Sequence, residues 1–441
     1  MMETKQPLRL FLHYLIPSMI GMLLMAINIL VDGLFVSHGV GDRALAGVNI
    51  AVPIYSILLS ISLWIGMGGA TLYSIHMGAN ESNKANAIFT QAIALAIGIV
   101  TIIIGLSLLF ERQLAYFFGA NDSIYPYVHD YLHLILWFGL VFILENILSI
   151  FVRNDGNPLL STIALVATAV FNIIFNYIFI FHFGWGVKGA AIATIIATFL
   201  GILILLVHFF LPKSHLRFTK FTWSNAMMIR IMQIGLPSFI IEGSAAIIVI
   251  AYNITFSHFA GEVGITSYAV INYIHAVSLM LFIGVGAALQ PITSYHYGAK
   301  LFARLHRFVR IGVLTGFIIG VLSFVIGVVA NGWIIAMFGI DDPDVIAFTK
   351  DGIVLFFSGY LFLGVNMVFA EFYQSVEKTK LATIIIMARS LVLFLPLLYV
   401  LPRYFGNHAI WLAFPIAEGL TMIGIFIYVF WRKQKQTTNN F

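Results

Sequence analysis

Gly66-Met67-Gly68-Gly69-Ala70-Thr71-Leu72-Tyr73-Ser74-Ile75-His76-Met77-Gly78-Ala79 and Gly286-Ala287-Ala288-Leu289-Gln290-Pro291-Ile292-Thr293-Ser294-Tyr295-His296-Tyr297-Gly298-Ala299 are the same motif written twice, 220 residues apart. The offset holds outward in both directions. Pro17-Ser18 falls on Pro237-Ser238, Ser37-His38 on Ser257-His258, Phe118-Gly119 on Phe338-Gly339, Gly139 on Gly359, Asn146 on Asn366, Gly186 on Gly406 and Ala197 on Ala417. Chance similarity between apolar segments has no reason to keep one register through loops as well as helices, so the chain is a tandem duplication.

The medium is set by composition. Hydrophobic residues make up 61%, charged residues 9%, and the mean hydropathy is +1.00, whereas an ordinary soluble domain carries about a quarter charged residues. Most apolar stretches exceed 20 residues, the length a helix needs to cross about 30 Å of hydrocarbon, and none shows the ~10-residue alternation of a membrane barrel. Twelve spans are predicted: 10–35, 46–73, 87–110, 128–152, 161–182, 187–211, 230–256, 264–295, 307–330, 351–374, 382–404 and 408–431. The expected fold is an all-α membrane protein of two homologous six-helix lobes, residues 1–211 and 230–441, joined by a basic, flexible linker at 212–229. An even number of spans per lobe places the pseudo-twofold axis along the membrane normal.

Of the 23 Lys and Arg residues, 17 lie in the termini and the even-numbered connections, five lie opposite, and Arg389 is inside a span. The positive-inside rule then puts both termini in the cytoplasm. The net charge of +5 reflects topology and anionic lipid rather than a nucleic-acid partner, because the basic residues are spread over several short loops. The sequence has no cysteine, which excludes disulfides and thiolate sites. The first apolar stretch is too long for a signal-peptide core and reads as a retained helix. No nucleophile elbow, phosphate-binding loop or ATPase motif is present, so an energy source other than ATP is implied.

A carboxylate inside a bilayer is costly unless it faces a cavity or a partner, which makes Asp32, Glu145, Glu242, Glu371 and Glu418 functional candidates. Glu371 lies near a span end, where it can snorkel. Arg389 is expected to neutralise a carboxylate on another helix. Asn172 and Asn176 are one helical turn apart and share a face, at about the depth of Asp32 in the first span and Thr194 in the sixth. These four form either a small hydrated ion or proton site or a set of helix-to-helix hydrogen bonds. Pro17, in the first span, is either a fixed kink or a hinge. The paired histidines His38 and His258, and His76 and His296, are explained by duplication, and no metal-ligand pair is identified.

Val31-Asp32-Gly33-Leu34-Phe35-Val36-Ser37, then Ala44-Leu45-Ala46-Gly47, Arg153-Asn154-Asp155-Gly156-Asn157-Pro158, Asn172 through Phe181, and Gly186-Val187-Lys188-Gly189-Ala190-Ala191-Ile192-Ala193-Thr194 together resemble the multidrug and toxic compound extrusion (MATE) antiporters over nearly the whole chain. The resemblance implies a bacterial plasma-membrane antiporter, acting as a monomer without a cofactor. It would export amphipathic, cationic compounds in exchange for protons or Na+ by alternating access. It further implies Asp32, Asn172, Asn176 and Thr194 as the ion-coupling set and Pro17 as the bend proline, and it matches Glu242 to the acidic residue of the seventh span. Glu242, Glu145 and Glu418 are the expected substrate-attracting carboxylates, with Met and aromatic side chains adapting to varied apolar shapes. One position departs from the family pattern. Residue 176 is Asn where a second carboxylate is usual, which weakens the case for tight sodium binding and favours a proton. A lipid-linked sugar flippase is the alternative, although it would need several cavity cations. A membrane-embedded enzyme is a further one, disfavoured by the symmetric duplication.

Overall fold

The computed structural model describes residues 3–220 and 223–438. Its helices are α1 (Pro7–Val40), α2 (Asp42–Gly78), α3 (Ser82–Leu109), α4 (Glu111–Phe117), α5 (Tyr125–Trp137), α6 (Gly139–Asn154), α7 (Pro158–Asn176), α8 (Gly186–Leu206), α9 (Asn225–Gly298), α10 (Phe302–Met337), α11 (Pro343–Phe357), α12 (Tyr360–Ser375), α13 (Thr379–Met387), α14 (Phe394–Phe405) and α15 (Ala413–Thr438). Nine helical stretches among the described residues are long and apolar enough to cross a bilayer, and two bent pairs each make a further span. The 74-residue α9 is broken at Gly261, whose φ of 59° is a left-handed conformation open to glycine, so it supplies two spans. This brings the described spans to the predicted twelve.

The breaks follow the duplication. The fourth span bends by 53° between α5 and α6, and the tenth by 40° between α11 and α12, at positions that coincide when shifted by 220 residues. Gly139 and Gly359 sit at these bends, where the helix loses regular hydrogen bonding. The fifth span continues from α7 through a π-helical turn at Tyr177–His182, and the eleventh passes through one at Ala388–Val392. Such turns inside helices are frequent at functional sites.

Burial is sorted for a lipid solvent. Large apolar side chains such as Val329, Trp333, Ile102 and Ile254 are exposed, while Asn172, Asn176, Asn366 and Glu418 are buried. Two compact units are present, Met1–Phe239 with Pro291–Phe302, and Ile240–Gln290 with Ala303–Phe441. This division differs from lobes at 1–211 and 230–441 because the ends of α9 pack with the first unit, and the cuts fall beside Pro237 and Pro291, two prolines inside that helix. In the first unit Ile65, Leu72, Phe89, Ile147 and Phe151 make the core. In the second the core is aromatic, around Tyr252, Phe256, Phe356, Tyr360, Trp411 and Phe414.

Within the first unit the two copies of the opening motif meet. A Cβ on Gly78 would lie 2.0 Å from the Tyr295 carbonyl oxygen, and one on Gly298, its repeat equivalent, 1.9 Å from that of Ile75. No side chain fits at either position, which is a physical reason for glycine in both copies. The described part of the stretch at 212–229 makes hydrogen bonds within the first unit. The buried Asp155 carboxylate accepts from the Tyr73 hydroxyl at 2.7 Å, from the His215 and Leu216 amides at 2.8 and 3.1 Å, and pairs with His208 Nε2 at 2.7 Å. Asn86 on α3 then brackets the segment, donating to the His215 carbonyl and accepting from the Arg217 amide, and Gln91 donates to the Ser224 carbonyl. Composition marks this stretch as a basic connection, and its hydrogen-bond partners lie 60 to 133 residues away in sequence.

Candidate functional site

The four residues singled out in the first lobe come together. Asn176, at the last position of α7, donates from Nδ2 to Asp32 Oδ1 on α1 at 2.7 Å and to Asn172 Oδ1 at 3.1 Å. Asn172 Nδ2 in turn donates to Thr194 Oγ1 on α8 at 3.0 Å, and the Thr194 hydroxyl donates to the Ala190 carbonyl at 3.0 Å. Asn172 and Asn176 are each 1% exposed, so water does not substitute for these bonds. Asn176 is the branch point, donating both to Asp32 and to the Asn172–Thr194 pair, so the network links α1, α7 and α8.

Asn28 was not anticipated. It lies one turn before Asp32 on α1, with Nδ2 3.5 Å from Asp32 Oδ2, and the four-residue spacing was the signal that would have found it. The Oδ1 atoms of Asn28 and Asn176 are buried and have no hydrogen-bond partner. Two amide oxygens beside one carboxylate are therefore acceptors without a donor among the described residues.

The same face of α7 continues toward the fourth span. Thr168 is one turn before Asn172, and its hydroxyl donates to Glu145 Oε1 on α6. A Cβ on Gly201 of α8 would fall 2.1 Å from that oxygen, so the glycine makes room for the carboxylate. Glu145 also borders a small cavity of ≈ 50 Å³ lined by Met25, Tyr55, Ser62, Phe142 and Asn146, space for a few waters. Thr168, Asn172 and Asn176 therefore form one polar stripe about 12 Å long at 1.5 Å per residue, with Asp32 at one end and Glu145 at the other.

In the second unit the carboxylates are unequal. Glu418 is completely buried, and Arg389 binds its Oε1 through Nε at 2.8 Å and Nη2 at 2.6 Å while Asn366 donates to Oε2 at 2.7 Å. Arg389 thus has the neutralising partner expected for it. Glu418 differs from the substrate-attracting role expected of it, since both oxygens are taken and none faces open space. Glu242 is half-buried and has no hydrogen-bond or ion-pair partner among the described residues. Pro17 sits inside α1, which continues through it without the helical bond to the His13 carbonyl.

The histidines divide as well. His296 Nδ1 bonds the Ile292 carbonyl at 2.8 Å and His38 the Leu34 carbonyl at 2.9 Å, whereas His76, the repeat equivalent of His296, pairs with Glu81 at 2.6 Å. One titratable cluster was missed. Glu111 of α4 meets His129 and His133 of α5, and the four-residue spacing of the two histidines on one helix was the available signal.

A sequence profile described as MatE matches the chain twice, over residues 17–178 and 237–400, and the two matches start 220 residues apart like the repeats. Multidrug export protein MepA of Staphylococcus saprophyticus is 23% identical over 433 residues, covering 97% of this chain and 94% of that protein. Its Staphylococcus haemolyticus counterpart is 24% identical over 421 residues, covering 94% and 92%. A solved MATE protein in complex with MaL6 superposes with a TM-score of 0.91 at 20% identity over 98% of both chains. A MOP superfamily transporter from Pyrococcus furiosus, described as having a binding pocket of reverse polarity, gives 0.90 at 21% identity over 97% and 96%. With the profile spanning most of the sequence in two registers and the fold shared end to end, the chain belongs to the MatE family of multi-pass membrane transporters.

Proposed function

We propose that this protein is a secondary active exporter of amphipathic, cationic organic compounds, working as a single chain in a bacterial plasma membrane with both termini cytoplasmic and exchanging substrate for protons or Na+ by alternating access. The observation that carries the reading is the Asp32 cluster, one carboxylate held by Asn176 with two donor-free buried amide oxygens beside it. A proton or small cation is the kind of partner such oxygens lack. Asp32, Asn172, Asn176 and Thr194 are the coupling set, with Pro17 on the same helix as the point where occupancy alters helix shape. The single formal charge left by Asn176 favours the proton.

Glu242, carrying an unpartnered carboxylate in an apolar span, supplies attraction for a cationic substrate, and Glu145 beside its cavity extends the polar path. Glu418 is assigned to structure. The staphylococcal relatives are multidrug export proteins, which supports drug-like substrates here. A relative of the same fold is described as having reverse pocket polarity, so these carboxylates, and not the fold, favour a cationic substrate. The flippase alternative needs several free cavity cations, and Arg389 is committed to Glu418.

Proteoliposome flux of a fluorescent organic cation under an imposed pH or sodium gradient tests the reading. Gradient-driven, uphill cation movement is expected. Movement insensitive to both gradients refutes it.

A further inference from the structure

We propose that Glu111, His129 and His133 form a binding site for a divalent transition-metal ion of zinc type, on the connection between the third and fourth spans. The three side chains come from two helices. Glu111 opens α4 and is buried, with its side chain only 8% exposed, while His129 and His133 stand one turn apart on a single face of α5. Both rings turn Nδ1 to the carboxylate, His129 at 2.5 Å from Oε1 and His133 at 2.8 Å from Oε2. All ligand atoms lie within 4.8 Å of one another.

Zinc bonds to nitrogen and oxygen are about 2.0–2.2 Å long, so tetrahedral ligand atoms stand roughly 3.4 Å apart. The two contacts therefore have to open by less than about 1 Å, and ligand atoms as far as 4.8 Å apart have to close by about 1.4 Å. The histidines, 46% and 43% exposed, have the freedom to do this, while the buried carboxylate stays fixed. Their exposed side leaves a fourth position for water. One carboxylate and two neutral imidazoles suit zinc, copper or nickel, whereas magnesium and calcium prefer all-oxygen shells. The neighbouring Arg112 is directed at the Tyr116 and Tyr125 rings, 5.5 and 5.6 Å from their centres. An ion here would fasten the end of the third span to the start of the fourth.

Trp137 gives the site a signature. Its Nε1–H donates to His133 Nε2 at 3.0 Å, so in the metal-free protein the proton of the neutral ring is on Nδ1, facing Glu111. A metal at Nδ1 moves the ring proton to Nε2, leaving two donors face to face. Trp137, 64% exposed, must then turn away.

The test is zinc titration of the full chain, purified in detergent and stripped with a chelator, by calorimetry and X-ray absorption. One Zn2+ per chain is expected, in a nitrogen and oxygen shell at about 2.0–2.1 Å, undisturbed by excess Mg2+. His129→Ala, His133→Ala and the shape-conserving Glu111→Gln should each weaken binding at least about tenfold. Trp137→Phe, which removes the hydrogen bond that zinc has to break, should bind at least as tightly and lose the zinc-induced fluorescence change. Absence of zinc binding in the wild type, a sulfur- or oxygen-only shell, or undiminished binding in the His129→Ala/His133→Ala double variant overturns the proposal. Both histidines are nearly half exposed, so their replacement leaves the core intact.

Discussion

Cutting the Arg389–Glu418 pair separates a structural carboxylate from a substrate-binding one. Glu418 is fully buried, and three hydrogen bonds of 2.6 to 2.8 Å from Arg389 and Asn366 satisfy its oxygens. Arg389→Met removes two of them and strands a carboxylate where water does not reach. Glu418→Leu strands the guanidinium, whose side chain is 10% exposed. Removing one partner of a buried pair costs about 3–5 kcal/mol, because the other charge stays desolvated and alone. At 1.4 kcal/mol per factor of ten, that is roughly a hundred- to several-thousand-fold in the folded-to-unfolded ratio. Replacing both partners by apolar residues of similar volume is often neutral, so the double variant Arg389→Met/Glu418→Leu should regain most of the loss. Asn366 keeps its second acceptor, the Glu418 backbone carbonyl at 2.8 Å, in every variant. The assay is thermal unfolding in detergent alongside cation efflux from proteoliposomes. The double variant should recover both stability and transport. Recovered stability with efflux of cations still lost would show that the Glu418 charge serves substrate, and single variants as stable as the wild type would show that the pair is not structural at all.

Asp32→Asn should abolish gradient-driven export of every substrate while equilibrium drug binding, measured by fluorescence polarisation, is retained; Glu242→Gln should instead weaken cationic substrates selectively, and the reverse pattern would exchange the two roles. Asn176→Asp should increase the response of efflux to a sodium gradient relative to a pH gradient in the same vesicles, and an unchanged preference would detach residue 176 from ion choice. Membrane-impermeant labels on Cys introduced at Asn121 and Asp342 should react from outside intact cells, and at Asn83 and Arg304 should not; since the native chain has no cysteine, each label reports one position, and external labelling of the second pair would invert the topology.

The solvent, the helix class and the duplication are legible in the amino-acid order alone. These are properties of composition and register, which do not depend on where the chain folds back. The amino-acid order also brings Asp32, Asn172, Asn176 and Thr194 to one depth, because helical rise converts sequence distance into position along the membrane normal. Depth is one coordinate only. Which helices adjoin, and which faces they present, is decided by packing between segments far apart in sequence. Tertiary structure alone showed that Arg389 finds Glu418 rather than another carboxylate, and that Asp155 and Asn86 fasten the segment after α8. It also put Glu111, 18 residues before His129, within reach of both imidazoles. Asn28 and the His129–His133 pair were legible as one-turn spacings. Their significance depended on a buried oxygen facing them, and the position of that oxygen is a product of the fold.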